Sequence, residues 1–161
     1  MMNYSSLSAT DRRILITGGI AAIVGFLSFL DPNGNWGTIM ALTLLAGLGA
    51  VFVALQTQVA PSTKLPVAKG LLVLILGGVA TAATGLAMLT YFGYITRNLV
   101  DFFTLSMIVG LVASIVLLLT GWNLYQAETR AAGTATAPAV PAAPASPPVS
   151  PPPPPAPPAE G

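Results

Sequence analysis

The sequence predicts an all-α integral membrane protein: a four-helix bundle followed by a disordered, proline-rich C-terminal tail. Three observations carry this reading. Four apolar stretches, the first two closed by turn formers, have about the length a helix needs to cross a hydrocarbon core. Charged residues make up only 7% of the chain and hydrophobic ones 54%. Soluble domains carry about a quarter charged residues, so a globular surface could not be covered here. From Ala131 onward the composition turns to Ala, Pro, Ser and Thr.

Residues 1–12 are expected to form a short cytoplasmic N-terminus, and 13–127 a transmembrane domain. Span one, about 14–30, carries no charge from Ile14 to Leu30 and stops at Asp31-Pro32-Asn33-Gly34-Asn35. Span two, about 38–56, ends at Pro61-Ser62-Thr63-Lys64-Leu65-Pro66, and Pro66 suits the first turn of the next helix. Spans three and four follow at about 68–92 and 99–125. Backbone polar groups inside lipid must pair within the segment, so the spans are helices. Short connections make sequential helices antiparallel neighbours. Arg12-Arg13 before an apolar stretch also suits a cleavable export signal. That stretch is long for a signal, and no Ala-x-Ala-like site follows Phe29, so a retained anchor is expected.

Basic residues near the span ends set the orientation. Arg12, Arg13, Lys64, Lys69 and Arg130 fall on one side, and only Arg97 on the other. Both termini are therefore expected in the cytoplasm, with the protein in a bacterial inner (plasma) membrane. Trp36, Tyr91, Tyr94 and Phe102 would form the outer aromatic belt, and Trp122 and Tyr125 the inner one.

The chain has no histidine and no cysteine. It therefore lacks imidazole and thiolate ligands, a histidine base, a cysteine nucleophile and disulfides. No catalytic residue, metal site or cofactor is expected, and no nucleic-acid partner, because the basic residues are scattered. General acid–base work would fall on Asp31, Asp101 or Tyr94 at the outer surface, which makes an enzyme the weakest reading.

Two passages repeat. Leu15-Ile16-Thr17-Gly18-Gly19-Ile20-Ala21 matches Leu74-Ile75-Leu76-Gly77-Gly78-Val79-Ala80, and Gly47-Leu48-Gly49-Ala50 resembles Gly110-Leu111-Val112-Ala113. A duplicated helical hairpin, its copies related by an axis along the membrane normal, explains both. Short chance matches among membrane helices, which draw on few residue types, are the alternative.

Small residues four apart share a helix face and let helices approach closely in lipid. Such sets are Gly18 and Ala22; Ala21 and Gly25; Ala46 and Ala50; Gly77, Thr81 and Gly85; Gly78 and Ala82; and Ser106, Gly110 and Ser114. Packing within the bundle is the plain reading. The sharper one places Ser106-Gly110-Ser114 against another subunit in a homo-oligomer.

No Asp, Glu, Lys or Arg lies between Ile14 and Leu30, Gly37 and Val59, Gly70 and Thr96, or Phe102 and Ala127. Asp31, Arg97 and Asp101 sit at the outer boundary, where Arg97 and Asp101, four apart, are spaced to pair. Asp101 also suits a helix N-terminus. A structural role is preferred over an outer recognition patch of Asp31, Trp36, Arg97 and Asp101. The tail at 128–161 lacks the apolar side chains that offset ordering entropy. Its proline runs favour polyproline II and hold P-x-x-P matches, so it serves as a spacer or as a segment that docks a protein partner.

The Phe26-Leu27-Ser28-Phe29-Leu30 exit of span one, Trp36-Gly37 opening span two, and the tail give a layout that resembles a loose group of actinobacterial and related bacterial membrane proteins. Those have four spans and a disordered proline-rich tail. The resemblance implies a bacterial plasma membrane and transfers no catalytic residue. The expected function is a non-enzymatic membrane scaffold or accessory subunit whose tail reaches a partner. The alternative is a small channel or transporter subunit that oligomerises through its Gly/Ser faces.

Overall fold

A computed structural model of the chain describes residues 7–30, 37–59 and 67–135. Every regular element among them is helical: α1 (Ala9–Leu27, extended by a 3-10 turn at Ser28–Leu30), α2 (Gly37–Val59), α3 (Lys69–Thr90), the short α4 (Phe92–Ile95) and α5 (Phe102–Ala135). Four of these are long and apolar enough to cross a membrane. Asp31, Trp36, Lys64, Pro66 and the chain from 136 onward lie outside the described residues.

The ends differ from the sequence expectation in four places, each for a physical reason. Residues 9–12, expected in the N-terminus ahead of span one, form the first turn of α1, because Ser8 caps the helix: its hydroxyl accepts the Asp11 N–H at 3.0 Å. Span three ends at Thr90, where Tyr91 leaves helical geometry, and α4 with its following turn fills the gap before Phe102. The Asp101 carboxylate accepts the Phe103 N–H at 3.1 Å and starts α5 there, so Leu99 and Val100 precede the span. At the other end α5 runs to Ala135, so residues 128–135 are helical and not tail. Ala131, Ala132 and Ala135 favour helix, and Glu128 is fixed to the body of the bundle, as described below.

The long helices pack in a ring, α1 on α2, α2 on α3, α3 on α5 and α5 back on α1. The α1–α2 and α3–α5 pairs are the tight ones, and glycine makes them tight. A Cβ on Gly18 would stand 2.9 Å from the Ala50 Cβ, and one on Gly47 would stand 2.5 Å from the Ala22 nitrogen. In the second pair, Gly77 and Gly121 bring α3 and α5 together, with Leu118 and Leu74 backbone atoms under 3.0 Å from the missing Cβ. Contact therefore runs backbone to backbone, the mode by which small residues associate helices in lipid. Large side chains point outward instead: Ile16, Ile23, Leu45, Ile75, Leu86, Val112 and Leu119 are exposed.

The two hairpins bury corresponding positions. Along α1 and α3 the buried pairs are Ile14/Val73, Gly18/Gly77, Ala21/Ala80, Val24/Ala83, Gly25/Thr84 and Ser28/Ala87. Along α2 and α5 they are Met40/Met107, Thr43/Gly110, Ala46/Ala113, Gly47/Ser114, Ala50/Leu117 and Ala54/Gly121. In this burial pattern Gly18 matches Gly77, as in the first repeated passage, whereas Gly47 shares its burial position with Ser114, one helical turn beyond Gly110.

Candidate functional site: the charged end of the bundle

Among the described residues, Arg12, Arg13, Lys69 and Arg130 gather where α1 and α3 begin and α5 ends, and Arg97 alone lies at the opposite end. Two contacts brace this end. Lys69 Nζ forms a salt bridge with Asp11 Oδ1, tying the start of α3 to the start of α1. Both groups are largely shielded, with side chains 25% and 16% exposed. Their attraction is screened less than that of a free surface pair.

The second contact supplies what α3 lacks. Its N-cap position holds Ala68, which has no side-chain acceptor. Glu128 of α5 takes that role: Oε2 and Oε1 accept the Gly70 N–H at 2.9 and 3.1 Å. The carboxylate also sits at the positive end of the α3 dipole, where an anion is favoured. Close approach is needed for this, and Gly70 provides it, since a Cβ there would collide with Tyr125 backbone and Glu128 Oε2. From this anchor α5 continues seven residues to Ala135, about 10 Å of further helix.

Of the small-residue faces, Gly18 and Ala22 lie against α2 and Gly77 against α5, all inside the chain. Gly85 is different: nothing lies within 4 Å of a Cβ built on it, so the Gly77-Thr81-Gly85 row is not one packing face. Within the Ser106-Gly110-Ser114 stripe, Gly110 and Ser114 are buried inside the chain and Ser106 is half-buried beside α1. Gly110 faces Val24 of α1, Ser114 is buried and donates to the Gly110 carbonyl at 2.8 Å, and Ser106 donates to the Phe103 carbonyl. Gly25, paired with Ala21 in the sequence, meets Leu44 backbone of α2, whereas Gly47, Gly70 and Gly121, which make equally close contacts, stand outside the sets of small residues four apart. Only Ser8-x-x-Asp11, a capping pattern before an apolar run, marked this end in the sequence.

At the opposite end Arg97 and Asp101 form no ion pair. Asp101 is engaged with the Phe103 N–H, and Arg97 is exposed in the turn after α4. The capping bond holds the carboxylate against its own helix, which four-residue spacing alone does not reveal. Asp31 and Trp36 lie outside the described residues, so the outer patch is represented here only by Arg97 and Asp101. Among the described residues no group of three acidic, histidine or cysteine side chains is placed to hold a metal.

Buried hydroxyls are mostly bonded to their own helix, as Thr17 is to the Arg13 carbonyl (2.8 Å) and Thr84 to the Ala80 carbonyl (2.8 Å). Thr43 and Thr84 are 3.1 Å apart between α2 and α3. The Thr84 proton is committed to Ala80, so Thr43 is the donor. Thr81 and Thr104 bury hydroxyl oxygens without a partner.

Comparison with protein-family models, curated proteins and solved structures finds no match for this chain.

Proposed function

We propose that this chain is an integral membrane protein with both termini in the cytoplasm, built from a duplicated helical hairpin. In this reading it works without catalysis, as a scaffold or accessory subunit that presents its proline-rich tail to a partner. One observation carries the reading: α5 is clamped to α3 by Glu128 on Gly70 and then continues as helix to Ala135. The tail thus starts from a braced stalk, which fixes where a tethered motif is displayed and raises its effective concentration near the bundle.

Membrane placement is supported by the inversion of side-chain size, with small residues inside and large apolar ones outside, and by the four long apolar helices. The gathering of basic residues at the charged end supports a cytoplasmic location for that end. Duplication is supported by the matched burial positions and by the paired glycine contacts of Gly18 on Ala50 and Gly77 on Leu117 and Leu118. Backbone-to-backbone packing at Gly18, Gly47, Gly77 and Gly121 leaves no room for a conduit between the paired helices. That favours a scaffold over a channel formed within one chain.

The test is affinity purification in mild detergent of the full chain and of a chain ending at Ala135. Truncation at Arg130 would cut into α5, so the later end point isolates the tail. A partner captured only by the full chain supports the reading. Identical partners for both chains, or none for either, overturns the adaptor role.

A further inference from the structure

We propose that the seam between α1 and α5 holds one anionic phospholipid, its phosphate on Arg13 and one acyl chain along the seam. The inference rests on the membrane placement proposed above. Three hollows follow one another along this seam. The first, about 190 Å³, lies at the charged end and is lined by Thr10, Arg13, Thr120, Asn123, Leu124 and Ala127. The second, about 340 Å³, opens one turn further on at Thr17 and Val116. The third, about 320 Å³, shares Ile20 and Val109 with the second and reaches Leu27 and Phe102. The first is mixed polar and apolar in lining, and the other two are almost wholly apolar.

Polar head, apolar trough and length agree with a lipid. From Arg13 to Leu27 the helix rises about 21 Å, more than half of the ~30 Å hydrocarbon thickness and so the reach of one leaflet's acyl chains. Arg13 is exposed and makes no ion pair with any described residue, because Asp11 is taken by Lys69 and Glu128 by the Gly70 N–H. A guanidinium offers a planar fork suited to phosphate oxygens, and the Asn123 amide adds donors at the same hollow. Thr120 does not, since its proton goes to the Val116 carbonyl.

The other seam serves as an internal comparison. Between α2 and α3, a hollow of about 470 Å³ lined by Thr38, Ile39, Leu42, Val79, Ala83 and Leu86 occupies the position corresponding to the third hollow. Toward the charged end, however, Leu76 lies where α1 has Thr17, and its Cδ2 stands 3.1 Å from a Cβ built on Gly49. Leu72 lies where α1 has Arg13 and packs on the buried core. That seam is filled at the level of Leu76, and among the described residues it has an apolar side chain, Leu72, where the α1–α5 seam has Arg13.

The experiment is native mass spectrometry of the detergent-purified full chain, offered phosphatidylglycerol and phosphatidylcholine of identical acyl chains. Phosphatidylglycerol should be retained about tenfold over phosphatidylcholine, the ratio expected for one charge-assisted contact. Arg13→Gln should bring that ratio close to one, and Arg97→Gln at the opposite end should leave it unchanged. Thr17→Leu, which copies Leu76, should lower retention of both lipids. Equal retention by the unaltered chain, or an unchanged preference in Arg13→Gln, overturns the proposal. So does full displacement of the lipid by glycerol 3-phosphate, which would mark an anion site without an acyl trough. Release of the chain from cell membranes only by detergent is scored separately, so failure of the membrane placement is distinguishable from failure of the site.

Discussion

Glu128 caps a helix to which it does not belong. Its two carboxylate oxygens share the N–H of Gly70 at the start of α3, 58 residues away in sequence. One charge-assisted contact thereby closes the α3–α5 pair, satisfies an orphan donor of α3 and sets the point from which α5 projects. Loss of this group should therefore be felt both in stability and in how firmly the stalk is held.

Glu128→Ala should destabilise the protein by about 1–2 kcal/mol, the range for a lost cap or charge-assisted bond. Glu128→Gln should cost less, because an amide oxygen can still accept the Gly70 N–H. Thermal unfolding in one detergent, read by circular dichroism, gives both values. Equal loss in the two variants would show that negative charge, and not the acceptor, is what matters.

Gly47 and Gly85 should respond in opposite directions to the same substitution. In Gly47→Ala the new methyl meets Ala22 backbone at 2.5 Å and Gly18 carbonyl oxygen at 2.6 Å. Helices α1 and α2 must separate, at a cost of about 1–3 kcal/mol. In Gly85→Ala the methyl meets nothing within 4 Å, and helix propensity should make the change neutral or stabilising by up to about 1 kcal/mol. Unfolding midpoints of the two variants, compared with the parent, check the sign.

Thr104→Val should stabilise the protein by about 1 kcal/mol. The hydroxyl is buried without a partner, so an isosteric methyl removes a desolvation cost and leaves the shape. Thr43→Val should instead lose about 0.6 kcal/mol, the average for an interhelical side-chain hydrogen bond in a membrane bundle, because Thr43 donates to Thr84. Opposite shifts in melting temperature are the expected result.

The absence of native cysteine allows orientation to be measured directly. With a membrane-impermeant maleimide on intact cells, Asn98→Cys should be labelled and Gly133→Cys should not. Permeabilised cells should label both. Labelling of Gly133→Cys in intact cells would invert the assignment of the charged end to the cytoplasm.

Much of the architecture was legible because it follows from composition. Long charge-free runs can satisfy their backbone only as helices, and Asp31-Pro32-Asn33-Gly34 and Pro61 to Pro66 fix where two of the runs stop. The helix limits were less legible, because they are set by contacts between elements. Residues 128–135 read as tail until Glu128 is seen on Gly70. Ala9–Arg12 read as part of the N-terminus ahead of span one, although Ser8-x-x-Asp11 offers a cap.

The sequence by itself determined the helical character of the described residues and the four segments able to cross a membrane. Only the tertiary structure decided which faces meet. It buries Gly110 and Ser114 within the chain, leaves Gly85 open, and gives Gly47 a burial position like that of Ser114 rather than Gly110. The reason is physical: spacing by four places residues on one face of a helix, but the direction of that face depends on packing against neighbours that are distant in sequence. Asp101 shows the same rule at a boundary. Its position allows a pair with Arg97 or a bond to the Phe103 N–H, and the folded backbone selects the second.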